Sequence, residues 1–245
     1  MARGIISPWK QPIYNSFDKL FVAMVSDMGP TNRTLWNSLN INIESTSFEN
    51  PLNDKNVHVF VNVPHLIKLV RNHLLDHGFV YNNKYIGKET LAKFLTVHCT
   101  KINLAYKINQ SHLHVTGAQR QNVRLAAQIF SERFSKAIDF CGKAKMLDHI
   151  PNWQEMSNNA KDRFTDSYGL DIKNQNILLN KITQYNIKNI RVHRSKSLML
   201  FQKGILTSNK SFENLLNDLQ KEYRYLNSNN TYLILGKMRF IYQNI

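Results

Sequence analysis

The chain has 245 residues, 42% hydrophobic and 11% aromatic, which is long and apolar enough to bury a core. Lysine and arginine (32) outnumber aspartate and glutamate (17), and the resulting formal charge of +15 favours a polyanionic partner such as nucleic acid or nucleotide. The two cysteines, Cys99 and Cys141, belong to no CxxC pair, which argues against a disulfide framework and a structural zinc site. No apolar run approaches the roughly 20 residues that span a bilayer, and the first residues lack the apolar core of a signal peptide. We therefore expect an intracellular protein without a membrane partner, nuclear if its partner is DNA.

Three short strands are predicted in the first 30 residues, at Ala2–Ile6, Gln11–Tyr14 and Leu20–Val25. The third strand is followed by Asp27 and then by Gly-Pro, which turns the chain into a helix. Open α/β sheets place their chemistry at the C-terminal ends of buried strands. Asp27 is therefore either a metal-ligating carboxylate or a residue that forms the turn and caps the helix.

The stretch Val57–Phe79 predicts a buried strand, a sharp joint and a helix, after a surface loop over residues 40–56. Pro64 suits the first turn of the helix, and Gly78 suits a left-handed cap at its end. The apolar residues of the helix recur at three- and four-residue steps, which indicates one buried face. The polar residues placed off that face are Lys68, Arg71, Asn72 and Asp76.

Two polar residues, Asn62 and His65, lie at this joint, where a strand delivers side chains to the edge of a sheet. His65 has no cysteine or second histidine at metal-ligand spacing, so a structural role is the more common reading.

Helical patterns extend from Tyr81 to about Glu222. The predicted helices are Thr90–Thr96, Gly117–Cys141, Ile172–Ile187 and Phe212–Tyr223, the last with Ser211 as its N-cap. The second of these has a basic side formed by Arg120, Arg124, Arg133 and Lys136, which is either solvated or in contact with phosphate. The chain contains no P-loop, no GxGxxG, no HExxH and no Ser/His/Asp signature.

Six stretches, which together cover most of the chain, occur in the same order as the motifs of a known protein family. They are MARGIISPWKQPIYNSFD (1–18), VAMVSDMGPTNRTLW (22–36), VFVNVPHLIKLVRNHLLDHGF (59–79), SHLHVTGAQRQNVRLAAQIFS (111–131), YGLDIKNQN (168–176) and SLMLFQKGILTSNKS (197–211). In these motifs the chain resembles the P element family of THAP-domain transposases.

This resemblance implies an α/β fold in which a partial RNase H-like mixed sheet is interrupted by a largely α-helical, GTP-binding insertion. The implied domains are a partial catalytic core (1–80), the insertion (81–228) and a degenerate return segment of the core (229–245). The family chemistry is DNA cleavage and strand transfer by Mg²⁺ ions held by carboxylates, which are the hard ligands this ion prefers. The implied partners are transposon-end DNA and GTP, with further copies of the chain left open, in the nucleus.

Only one of the three catalytic acids of the family is matched, by Asp27 in VSDMG. The first acid would precede this sequence, and Ile241 and Asn244 stand at the acidic positions of the family's last helix. Asn62 also replaces an aspartate of the pattern. One carboxylate cannot hold two metal ions, so we expect a truncated chain that is inactive on its own. The alternative function is a non-catalytic nucleotide- or DNA-binding regulator derived from a transposase.

For the nucleotide, Lys107 in AYKINQSH matches a phosphate-binding lysine of the family. Val123 and Ser131 match nucleotide-contacting positions, and Asn122 replaces a lysine of the pattern. A looser match at NWQEMSN adds Asn158 and its neighbour Glu155 as candidates. The resemblance therefore implies GTP binding with an incomplete set of contacts.

Overall fold

The computed structural model describes residues 2–3, 10–11, 22–100, 105, 107–147, 153–154, 172–184 and 198–222. These residues form two compact units, which divide between Asn62 and Val63. The first unit contains the described residues up to Asn62 together with residues 200–222, and the second contains those from Val63 to Met199. The functional domain bounds predicted above stay a prediction. Across the described residues, no helix combines the length and the apolar character that crossing a membrane requires.

A three-stranded mixed sheet is the centre of the first unit. Its strands are β3 (Ala23–Ser26), β4 (Ser47–Glu49) and β5 (Asn56–Val61), and a separate antiparallel pair is formed by β1 (Ala2–Arg3) and β2 (Lys10–Gln11). The sheet order is β3-β5-β4, with β5 parallel to β3 and antiparallel to β4. The predicted mixed α/β fold is thus confirmed.

Strand β5 is covered by a long helix, α7 (Leu200–Glu222), as its uninterrupted apolar run predicts. Phe60 of the strand and Phe212 of the helix pack with ring centroids 4.7 Å apart. The prediction that a helix begins after Ser211 was wrong, because Ser211 is buried in the middle of α7. Its hydroxyl donates a hydrogen bond to the carbonyl of Val59 instead of capping a helix.

The segment between the first helix and β5 is more ordered than the predicted loop over residues 40–56. Helix α1 (Pro30–Ser38) ends before it, and β4 lies inside it. Thr46 and Asn50, on either side of β4, are both buried. The correction has a physical reason, because asparagine side chains here satisfy backbone groups, as Asn50 does for the N–H of Leu52 at 3.0 Å.

The second unit begins with helix α2, directly after the sheet strand β5. The elements of this unit are α2 (Val63–Asp76), β6 (Phe79–Tyr81), β7 (Lys84–Ile86), α3 (Lys88–Thr100), α4 (Val123–Ile129), α5 (Glu132–Lys143) and α6 (Ile172–Gln184), with 3-10 turns at Gln110–His112 and Gly117–Gln121. Val63 and Ile67 of α2 pack on Ala126 of α4. Gly78 ends α2 in the left-handed conformation predicted for it, with φ +67°.

A β-hairpin contradicts the prediction that strands stop at Tyr81. Strands β6 and β7 pair antiparallel across Asn82 and Asn83, whose φ angles are 47° and 61°. Asparagine tolerates this left-handed region better than most residues, and two such residues in a row form the tight turn that matches strand twist. The Asn-Asn pair was the signal for the hairpin.

The predicted single helix Gly117–Cys141 is three elements. A 3-10 turn leads to α4, which ends at Ile129, and α5 starts at Glu132. Ser131 interrupts the helix because its hydroxyl accepts a hydrogen bond from the N–H of Phe134 at 3.3 Å, as an N-cap does. The apolar stripe continues across the break, since Phe134, Ile138 and Cys141 are all buried.

Candidate functional site

The C-terminal ends of β3 and β5 place Asp27 and Asn62 on neighbouring strands. Ser26 pairs with Val61 in the parallel ladder, and the N–H of Asn62 donates to the carbonyl of Ser26 at 2.7 Å. Each residue is thus the first beyond its strand at the same edge of the sheet. This is the edge at which open α/β sheets carry polar side chains for binding or catalysis.

The carboxylate of Asp27 has defined hydrogen-bond partners. Its Oδ1 accepts from the N–H of Gly29 at 2.8 Å and from Nδ2 of Asn32 at 2.7 Å. A Cβ on residue 29 would lie 2.8 Å from this oxygen, so glycine is the residue that permits the close approach. Trp36 Nε1 donates to Ser26 Oγ at 2.9 Å and fixes α1 to the end of β3. Asp27 therefore holds the turn that starts α1, whatever else it binds.

The residues at this edge do not fit a two-metal site. In the part of the chain that the structure describes, no three His, Cys, Asp or Glu residues come together to hold a cation. One oxygen of Asp27 is already hydrogen-bonded to two donors, and its neighbour on β5 is an amide. Ile241 and Asn244 lie outside the described residues, and neither side chain supplies a carboxylate.

Three of the predicted nucleotide contacts lie at the N-terminal ends of α4 and α5. Asn122 is the N-cap of α4, and its Oδ1 accepts from the N–H of Leu125 at 3.2 Å. Val123 follows as the first residue of the helix. Ser131, the N-cap of α5, also donates from its hydroxyl to the carbonyl of Gln128 at 2.7 Å. The cap roles explain the residue types locally, and they place the three side chains around one short helix.

Lys107 lies in a segment that His112 connects to helix α4. The exposed Lys107 comes shortly before the 3-10 turn Gln110–His112. His112 Nε2 lies 2.9 Å from Gln128 Oε1, and its Nδ1 lies 3.2 Å from the backbone nitrogen of Asn109. Gln128 thus links the segment of Lys107 to Ser131, because its backbone carbonyl is the acceptor for Ser131. Asn158 and Glu155 lie outside the described residues.

A buried arginine in α2 was not predicted as part of this region. Arg71 was placed off the apolar face, yet its side chain is fully buried. Its Nη2 donates to the carbonyl of Arg120 at 2.7 Å and to that of Gln119 at 3.4 Å. Burial, and then the charge of Arg120, lower the pKa of Arg71, while a hydrogen bond to Asp76 raises the pKa of Arg120. The available signal was position, since Arg71 lies four residues after the buried Ile67.

Trp153 packs against helix α5. Its half-buried indole lies so close to Gly142 that a Cβ at that position would overlap the ring. Gly142 is itself buried in the last turns of α5. The absence of a side chain at Gly142 therefore leaves room for the indole of Trp153 against the helix.

Comparison with known proteins gives three matches. The family model described as "TNP-like, GTP-binding insertion domain" matches residues 64–163. The transposable element P transposase of Drosophila melanogaster is 30% identical over 261 residues, covering 91% of this chain and 34% of that protein. The solved Drosophila P element transposase strand transfer complex is similar with a TM-score of 0.67 and 28% identity, over 90% of this chain and 60% of that chain. The chain thus spans about a third of the curated relative's length.

Proposed function

We propose that this chain, a P element transposase-like protein with a GTP-binding insertion domain, binds guanine nucleotide through that domain and does not cleave DNA on its own. The match of residues 64–163 to the insertion-domain family is the observation that carries nucleotide binding. The nucleotide would be bound by Lys107, Asn122, Val123 and Ser131, with Asn158 as a further contact.

The geometry of the second unit supports this assignment. The hydrogen bond between His112 and Gln128 ties the segment of Lys107 to the helix that Asn122 and Ser131 flank. The lysine supplies a positive charge for phosphate, and the hydroxyl and amide supply neutral hydrogen-bonding groups. The first unit would be the remnant of an RNase H-like core, in a nuclear protein.

Loss of catalysis follows from the residue types at the acidic positions. Two Mg²⁺ ions in such a core activate the attacking oxygen and stabilise the leaving oxygen of the phosphodiester. Asp27 matches one family acid, and its Oδ1 is engaged by Gly29 and Asn32. Ile241 and Asn244 cannot replace carboxylates as ligands. The chain would therefore bind the family's partners without performing its reaction.

Titration with a fluorescent GTP analogue tests nucleotide binding. The wild-type chain should bind, and Lys107→Ala should weaken binding by about ten- to a hundredfold, since a hydrogen bond from a charged donor contributes roughly 1.5–3 kcal/mol. Lys143→Ala is the matched control, because this exposed lysine pairs with Asp139 at 2.8 Å on the last turns of α5. Absence of GTP binding by the wild-type chain would overturn the proposal.

Incubation of the purified chain with transposon-end DNA and Mg²⁺ tests the loss of catalysis. We expect no strand cleavage or joining, and the same result for Asp27→Ala. Cleavage by the wild-type chain that disappears in Asp27→Ala would refute the proposed inactivity.

The net charge of +15 supports a second candidate, a regulator that binds DNA without acting on it. Contacts between basic side chains and phosphates release counterions, so affinity for duplex DNA should fall steeply between about 50 and 200 mM salt. A DNA affinity that does not change with salt would exclude this candidate.

A further inference from the structure

Helix α2 holds the 3-10 turn Gly117–Gln121 through polar side chains. Lys68 Nζ donates to Gln121 Oε1 at 2.8 Å. Arg71 donates to two consecutive carbonyls of the turn, those of Gln119 and Arg120. The guanidinium of Arg120 forms a two-pronged ion pair with Asp76, in which Nη1 lies 3.1 Å from Oδ1. Three successive residues of the turn are thus each bound by α2.

The turn contributes little packing of its own. None of the residues from Gly117 to Gln121 is buried, and Gly117 has a φ of +48°, which few other residues adopt at low cost. Its internal hydrogen bonds are backbone contacts, from Gln119 N–H to Thr116 at 3.0 Å and from Asn122 N–H to Gln119 at 2.9 Å. Without a hydrophobic anchor, the position of the turn depends on its contacts with α2.

Burial of the Arg71 guanidinium costs free energy that burial of an aliphatic side chain on the same helix face would not cost. Its Nη1 has no hydrogen-bond partner among the described residues, and a charged group buried with an unpaired donor costs free energy. An aliphatic residue would continue the apolar stripe formed by Ile67, Leu74 and Leu75. Buried ionic groups often add less stability than apolar replacements of the same volume. Arg71 therefore makes better sense as a group that fixes the geometry of the turn.

We infer that Arg71, assisted by Lys68 and Asp76, is a positioning residue that sets the turn Gly117–Gln121 and thereby presents Asn122 and Val123 to guanine nucleotide. The inference rests on the proposed function, since it assigns the support of the same nucleotide site. Asn122 follows the turn immediately, so a displacement of the turn shifts the start of α4 by a similar distance.

A charge exchange tests the inference in the full chain. Asp76→Arg and Arg120→Asp should each weaken binding of the fluorescent GTP analogue by about three- to tenfold, because each reversal replaces an exposed ion pair with a repulsion between like charges. The double variant should restore affinity to within about twofold of wild type, because the ion pair is re-formed with exchanged partners. Both side chains are more than a third exposed, so the melting temperature should change little in any of the three.

Hydrogen exchange of the amides of residues 117–125 gives a readout that does not depend on nucleotide. Exchange there should be faster in both single variants and in Arg71→Met, whose side chain has no donor for the carbonyls of Gln119 and Arg120. Lys143→Gln, which removes an exposed ion pair on α5, should leave both exchange and affinity unchanged.

Different outcomes separate the proposed nucleotide binding from the positioning role of Arg71. If the wild-type chain binds no nucleotide, the proposed function fails and this inference fails with it. If the wild type binds and the single variants bind equally well, the inference alone is wrong. Weakened binding that the double variant does not rescue would also overturn it, because a role through the ion pair requires that rescue.

Discussion

Individual hydroxyl groups complete the hydrogen bonding of β5 where its neighbour β4 stops. The N–H of Val59 donates to the carbonyl of Thr46, the residue before β4, at 2.8 Å. Beyond that point Ser211 donates to the Val59 carbonyl, and Ser208 Oγ accepts from the Val61 N–H at 2.9 Å. Both serines are fully buried in α7. Two serine side chains of α7 thus serve as hydrogen-bond partners of β5 beyond the end of β4.

Ser211→Ala should reduce the free energy of unfolding by about 1–3 kcal/mol, because it removes the hydroxyl that donates to the buried carbonyl of Val59. Ser38→Ala is the control, since the Ser38 hydroxyl donates to the Leu35 carbonyl on the protein surface and should matter by less than about 0.5 kcal/mol. Chemical denaturation followed by circular dichroism measures both. Equal effects of the two substitutions would refute the structural role of Ser211.

His58 should make the stability of the first unit depend on pH. It is buried beside Asp218, with Nε2 3.2 Å from the carboxylate, and burial lowers its pKa below the ordinary 6.5 although Asp218 opposes the shift. Protonation of His58 is therefore less favourable in the folded state than in the unfolded chain. As the pH falls below about 6.5, the free energy of unfolding should decrease.

Melting temperatures between pH 7.5 and 5.5 test this dependence. The decrease should be smaller in His58→Gln, whose amide does not titrate. It should not disappear, because burial also lowers the pKa of His73. An identical pH dependence in wild type and His58→Gln would contradict the assignment.

At the scale of elements, the packing of the Trp153 indole on α5 requires that residue 142 has no side chain. Glycine is a poor helix former, and Gly142→Ala in an open helix would add about 1 kcal/mol of stability. Here the added Cβ would overlap the indole of Trp153. Overpacking of this kind costs typically 1–3 kcal/mol, so the steric effect should exceed the propensity gain.

We therefore expect Gly142→Ala to lower the melting temperature of the chain. In a Trp153→Ala background the same substitution should become neutral or stabilising, because the overlapping ring is gone. A rise in melting temperature on Gly142→Ala in the wild-type chain would show that the ring moves aside freely.

At the scale of the whole molecule, the first unit is discontinuous in sequence. Its sheet is formed by residues up to Val61, whereas the helix that covers β5 starts at Leu200. The second unit is built between these segments from residues 63–199. The sheet therefore cannot complete its packing until α7 is present.

A chain that ends at Met199 should lose protection of the first unit and keep the second. Removal of α7 exposes Phe60 and the backbone groups of Val59 and Val61, so residues 22–62 should become sensitive to limited proteolysis. Residues 63–147 should stay protected. A chain that ends at Glu222 is the control because it retains α7, and equal protection of residues 22–62 in both would refute the dependence.

Local sequence patterns predicted those elements whose buried face follows from the spacing of apolar residues. The run of β-branched residues around Val59 predicted β5, and the three- and four-residue spacing after Pro64 predicted α2 with its end at Gly78. The resemblance to P element transposases predicted the kind of protein to which the comparisons found this chain similar. The roles of Asp27 and of the nucleotide-contacting residues stay predictions.

Tertiary structure alone decided the features that depend on a partner distant in sequence. Arg71 is buried because two carbonyls nearly 50 positions later accept its hydrogen bonds, and Ser211 is buried because Val59 does the same. Hydrophobic periodicity reports which face of an element avoids water. It cannot reveal a buried polar side chain whose acceptor is the backbone of another element, because every residue presents the same carbonyl.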